Sequence, residues 1–135
     1  MKKPFTTPLT PISWGELIDK ITILEIKKSN IKLVSALMNI NKELSYLENI
    51  VENCDGVTEL IAELKQQLLD VNKRLWNVED DIREKELNQE FDIVFIELAR
   101  KVYLLNDERS KLKKSINQIL KSEIVEEKSY KNFRA

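Results

Sequence analysis

The sequence predicts an all-α fold, with long antiparallel helices forming a three-helix, coiled-coil-like bundle completed by dimerisation. Three observations carry that expectation. Two glycines and three prolines among 135 residues leave little material for turns. The chain is 42% hydrophobic and 33% charged, too apolar for a disordered segment and richer in charge than an average globular domain. Apolar residues also recur at three-four spacing along three stretches, which is the period of a helix seam and not of a strand.

All three prolines, Pro4, Pro8 and Pro11, fall in residues 1–12, with threonines among them. Proline lacks the helical donor and disfavours helix before it, so this segment reads as an extended arm. The helical domain spans 13–121. Ser13-x-x-Glu16 is a capping box, with Ile12 and Leu17 placed as a hydrophobic staple across it. From Ser13 one helix is expected to run to residue 52, roughly 60 Å at 1.5 Å per residue. Its seam is Ile23, Ile26, Leu33, Leu37, Ile40, Leu44, Leu47 and Val51, with Asn30 in the one remaining core position. A second stripe, Leu17, Ile21, Leu24, Ile31, Val34 and Met38, gives the first half two apolar faces. Two faces need two neighbours. A homodimer using Leu24, Ile31, Val34 and Met38 is therefore expected, and a further protein partner fits the same reasoning.

Residues 53–57, "NCDGV", form the clearest turn, with Gly56 free to take a left-handed conformation. The second helix covers 58–88 on the seam Ile61, Leu64, Leu68, Val71, Leu75, Val78 and Ile82. Leu69 and Trp76 lie off that seam and mark contact with another element. The third helix, 92–121, begins where Asp92 can cap it, and carries Phe95, Leu98, Val102, Leu105, Leu112, Ile116 and Ile119. Arg109 sits where an apolar residue is due. The remaining residues, 122–135, form a polar tail in which Tyr130 and Phe133 are the side chains able to dock.

Composition excludes several functions. A net charge of −1 supplies no field for a polyanion, so nucleic-acid binding is not expected. With no histidine, Ser-His and Cys-His catalysis and most zinc sites drop out. Cys54 is the one cysteine, which fits a reducing compartment. No apolar run approaches the roughly 20 residues of a membrane span, and no apolar signal core follows Met1-Lys2-Lys3. A cytoplasmic protein is the expectation.

Folding the chain at its two turns gathers acids at one end. Glu16 and Asp19 extend the first seam backwards, opposite Asp81 and Glu84 of the second helix. A carboxylate in a core position is costly unless it is paired or bound to a cation. Two readings stand. In one, Glu16 caps its helix and Asp19 pairs with Arg83 or Arg100 at the bundle end, with Lys20 interspersed. In that reading Arg109 sets register and reaches Asp107 or a partner's acid, and no cofactor is needed; its alternative role is to bind an anion such as phosphate at residues 106–109. In the other, Glu16, Asp19, Asp81 and Glu84 hold Mg²⁺ or Mn²⁺ through oxygen ligands. The chain would then be a metal-dependent enzyme acting on a phosphorylated or nucleotide-like small molecule.

Four blocks, "GELIDKITIL", "LWNVEDDIR", "NDERSKLKKSIN" and "EEKSY", resemble the signature of an uncharacterised family of short bacterial helical proteins. That resemblance implies no established activity and no catalytic residue. It implies an association of some members with surface-glycan biosynthesis. The leading functional expectation is a helical interaction or assembly protein.

Overall fold

The computed structural model describes residues 2–129, in which four helices pack together and no strand occurs among the described residues. They are α1 (Trp14–Asn30), α2 (Val34–Glu52), α3 (Val57–Leu87) and α4 (Ile93–Ile119). Residues 2–12 are exposed and carry no regular structure. Tyr130 and Phe133 lie outside the described residues.

The single helix expected over 13–52 is in fact two, α1 and α2, meeting at a corner formed by residues 31–33. The cause is local. The Ser29 hydroxyl donates to the Glu25 carbonyl at 3.1 Å, and the Asn30 amide donates to the Ile26 carbonyl at 2.8 Å. Side chains that bond to helical carbonyls compete with the helix ladder. Ile31 then turns extended, at φ −89° and ψ 134°, a conformation its β-branched side chain favours. The helix restarts after Leu33, which offers no side-chain cap. Neither glycine nor proline marks the corner, so the three-four spacing runs through it uninterrupted.

Because the chain bends there, α2 packs back against α1. Leu24 becomes buried and Ile31 packs at the edge of the same core. Leu24 is therefore closed to a partner, contrary to the expectation for the dimer, while Ile31 stays half-buried. Val34 and Met38, 70% and 67% exposed, remain on the surface. Leu33, nominally a seam residue, is also exposed.

Both α1 and α3 touch all the other helices, and α2 and α4 alone do not meet. The α1 residues Leu17, Ile18, Ile21 and Leu24 join Ile40, Leu44, Val51, Ile61, Leu68 and Ile116 in the main core. A second core cluster draws on α3 and α4 alone: Val71, Leu75, Val78 and Leu105, flanked by Ile82, Leu98 and Val102. Beyond it the two helices run on without support. From residue 79 to residue 104 no residue is fully buried, so this stretch is a two-helix arm. At ~1.5 Å per residue, the 31 residues of α3 reach about 46 Å, against about 25 Å for the 17 of α1.

Each turn has a backbone explanation. Gly56 adopts φ 85° immediately before α3, the left-handed conformation for which glycine is suited. The α3–α4 turn has no glycine, yet it closes as a Schellman motif. Glu90 N–H donates to the Lys85 carbonyl at 2.9 Å, Gln89 N–H donates to Glu86 at 3.0 Å, and Gln89 sits at φ 54°. α4 ends in the same way, with Ser122 N–H on Asn117, Lys121 N–H on Gln118, and Lys121 at φ 50°. Asp92 caps α4 by accepting from the Phe95 amide at 3.0 Å. That bond, joined by the Lys85 ammonium, holds the Asp92 carboxyl below its ordinary pKa. The Glu90 and Asp92 carboxylates in turn raise Lys85.

A left-handed residue with a Cβ costs about 1 kcal/mol that glycine avoids. Gln89→Gly should therefore stabilise the fold by about 0.5–1 kcal/mol in chemical denaturation. A neutral or destabilising result would show that the turn is held by side-chain contacts of Gln89 and not by backbone bonds.

Candidate functional site

The polar centre of the molecule lies where the first two turns of α1 meet α3 and α4. Ser13 stands at the cap with extended backbone, and its hydroxyl accepts from the Glu16 amide at 3.0 Å. This half of the capping box forms as the sequence predicts. The Glu16 carboxylate does not complete it, because it accepts from the Lys113 ammonium of α4 at 2.6 Å. Ser13 Oγ donates instead to Glu126 at 2.6 Å, and the Trp14 amide donates to Ser122 Oγ at 3.2 Å. Residues 122–126 are thus fastened over the start of α1.

Asp19, one helical turn after Glu16, is fully buried. Arg109 meets it as a fork. Nε donates to Oδ1 at 2.9 Å and Nη2 donates to Oδ2. Asn72 of α3 donates to the same Oδ1 at 2.9 Å and also to the Thr22 hydroxyl at 2.9 Å, and that hydroxyl donates to the Asp19 carbonyl at 2.7 Å. Lys113 stands 4.0 Å from Oδ2. The Asp19 carboxylate raises the Arg109 pKa, chiefly by hydrogen bonding, against the opposing effect of burial. A charge-assisted bidentate pair with its remaining lone pairs met is the condition under which a buried carboxylate is tolerated.

Asp19, in a core position that extends the first seam, and Arg109, the polar intrusion in the third, are therefore partners of one another. The pairings of Asp19 with Arg83 or Arg100 do not form, and Arg109 does not turn out to Asp107. Arg83, Arg100 and Lys20 are exposed. The four acids considered for Mg²⁺ or Mn²⁺ do not converge either. Asp81 and Glu84 are exposed on the arm, and Asp81 lies nine residues, about 13 Å of helix, beyond the Asn72 that contacts Asp19. Among the described residues, no group of three or more acids and cysteines is placed to hold a metal ion.

Close helix contact completes the arrangement. The Gly15 amide donates to Asn117 Oδ1 at 2.6 Å. A Cβ at Gly15 would run into the Lys113 carbonyl oxygen. Glycine is required here for approach and not for backbone freedom. Asn72, Lys113 and Asn117 escaped the sequence reading because each follows a seam residue, Val71, Leu112 or Ile116, and looks like ordinary helix surface. Gly15 did carry a signal: a glycine inside a helix pattern often marks close packing.

With its acids and bases matched inside the fold, this centre ties α1 to α3 and α4. A family model matches residues 9–134, which spans the arm's end, all four helices and the tail block. The chain belongs to the family of unknown function DUF6165. That membership agrees with the resemblance of its sequence blocks to an uncharacterised family. No curated protein and no solved structure matches the chain. Neither the surface-glycan link nor the metal-dependent enzyme gains support from these comparisons. No helix among the described residues is long and apolar enough to cross a membrane.

Gly15→Ala should cost about 2 kcal/mol in chemical denaturation, in the range of overpacking a tight contact. The loss should come with weaker protection of the Trp14 and Gly15 amides in hydrogen exchange. An alanine variant as stable as the parent would mean that α1 and α4 can part there freely.

Proposed function

We propose that the chain is a helical assembly protein that acts as a homodimer in the cytoplasm, through surfaces its own fold leaves uncovered. One observation carries this reading: the arm formed by residues 79–104 contains no fully buried residue, yet it is apolar on more than one side. Leu98 and Val102 face the arm's interior and Phe95 is half-buried beside Phe91, while Leu87, Phe91, Ile93, Val94 and Ile96 are exposed around its tip. Contiguous exposed apolar surface of this kind marks an interaction site. A pair of helices with two apolar faces needs a neighbour beyond its own partner helix. The antiparallel, coiled-coil character read from the heptad seams fits α3 and α4 best, because their shared cluster is a seam of alternate three and four spacing.

The exposed Val34 and Met38 of α2 keep their proposed place in the interface. The partner of first choice is a second copy of the chain, and a different protein would have to use the same uncovered surfaces.

Sedimentation equilibrium at micromolar concentration should give a dimer, and Ile93→Asp with Ile96→Asp should shift it to monomer with helix content unchanged. A wild-type chain that sediments as a monomer at tens of micromolar would overturn the proposal.

A further inference from the structure

The arm and the α1–α2 corner carry opposite charge. Across the arm, residues 79–104, there are eight acids and four bases, with Arg100 and Lys101 lying on the side away from the tip. From Glu25 to Lys42, around the corner, there are four lysines and one acid. Each surface also presents uncovered apolar side chains: Phe91, Ile93 and Val94 at the arm tip, and Leu33, Val34 and Met38 at the corner.

Beside the corner the structure has an open groove of about 350 Å³ between the end of α1 and the middle of α3. Ile26, Leu69 and Trp76 supply its apolar surface, with Asn30, Lys73 and Glu25 at its edges, the last paired with Lys65 at 3.1 Å. Leu69 and Trp76 are the pair whose spacing off the α3 seam called for another element, and α1 covers them only in part. At the arm tip, Phe91 is 58% exposed and stands edge-on to Phe95, with ring centres 5.3 Å apart. It is an aromatic side chain held outward in acidic surroundings.

From these features we infer that the two copies of the dimer dock reciprocally, with the arm tip of each seated on the α1–α2 corner and adjoining groove of the other. The twofold relation makes the contact twice and closes the assembly, leaving no surface open to further growth. Glu86 and Glu97 meet Lys28, Lys32 and Lys73, while Phe91 enters the groove against Trp76. Packing arm against arm would instead set two strongly acidic surfaces face to face, which costs association energy. The inference rests on the dimer reading above and adds to it the identity of the two surfaces.

The test uses charge reversal at exposed residues outside both core clusters. Variant one carries Lys28→Glu and Lys32→Glu, and variant two carries Glu86→Lys and Glu97→Lys. Each alone should weaken the homodimer by about tenfold or more, with unchanged circular dichroism. Mixing them should restore a tight heterodimer, because both reciprocal contacts are then opposite in charge. Sedimentation velocity with one variant fluorescently labelled reads this directly.

Homodimers that keep wild-type affinity in both variants would overturn the docking mode while leaving the dimer intact. A tighter homodimer in variant two would do the same and would indicate arm-to-arm pairing. A monomeric wild type would remove both the dimer and this arrangement of it.

Discussion

A carboxylate with no exposure to water, Asp19, and the guanidinium that reaches it across 90 residues of chain, Arg109, set the constraint on which the rest of the fold depends. Burying either charge alone is costly by several kcal/mol. The first helix must therefore lie where the fourth can deliver its arginine. Asn72 delivers a further bond from the third helix, and Lys113 anchors Glu16 one turn earlier. Gly15 lets the two backbones approach closely enough for these bonds to form. With α1 held in this way, its apolar residues Leu17, Ile18, Ile21 and Leu24 fall on three neighbours at once and close the main core.

Much of this was legible in the sequence, in proportion to how local the cause was. The α3 seam from Ile61 to Ile82 was read residue by residue, because a long amphipathic helix needs only its own periodicity. Gly56 announced its turn through the one residue type suited to a left-handed backbone. The cap at Ser13 could be read because donor and acceptor lie three residues apart. The corner after Asn30 could not. Two short side chains, Ser29 and Asn30, draw off carbonyls there, while the apolar spacing continues as though the helix did.

The site was half legible. Asp19 and Arg109 each stood out as a charge in an apolar position, but a single sequence does not say which charge faces which. In a three-helix bundle with an unbroken first helix, proximity favours Arg83 and Arg100 and sets the acids near Asp81 and Glu84. Once the helix breaks, α1 ends before it can run along the arm, and those acids are left on a surface of their own. The same break explains why Leu24 and Ile31 serve the chain's own core while Val34 and Met38 do not. What the fold leaves bare, an acidic arm and a basic corner, is thus a consequence of where α1 stops.

Asp19 and Arg109 act energetically as one unit. A double-mutant cycle tests this claim most directly, using Asp19→Leu, Arg109→Leu and the double variant. Unfolding would be followed by Trp14 and Trp76 fluorescence at one protein concentration. Each single variant leaves an unmatched charge and should lose about 3–5 kcal/mol. The double variant replaces both charges with apolar groups and should recover most of that loss, giving a coupling of about 3 kcal/mol. Additive losses, with coupling below about 0.5 kcal/mol, would contradict the claim and place the organising interaction elsewhere in the core.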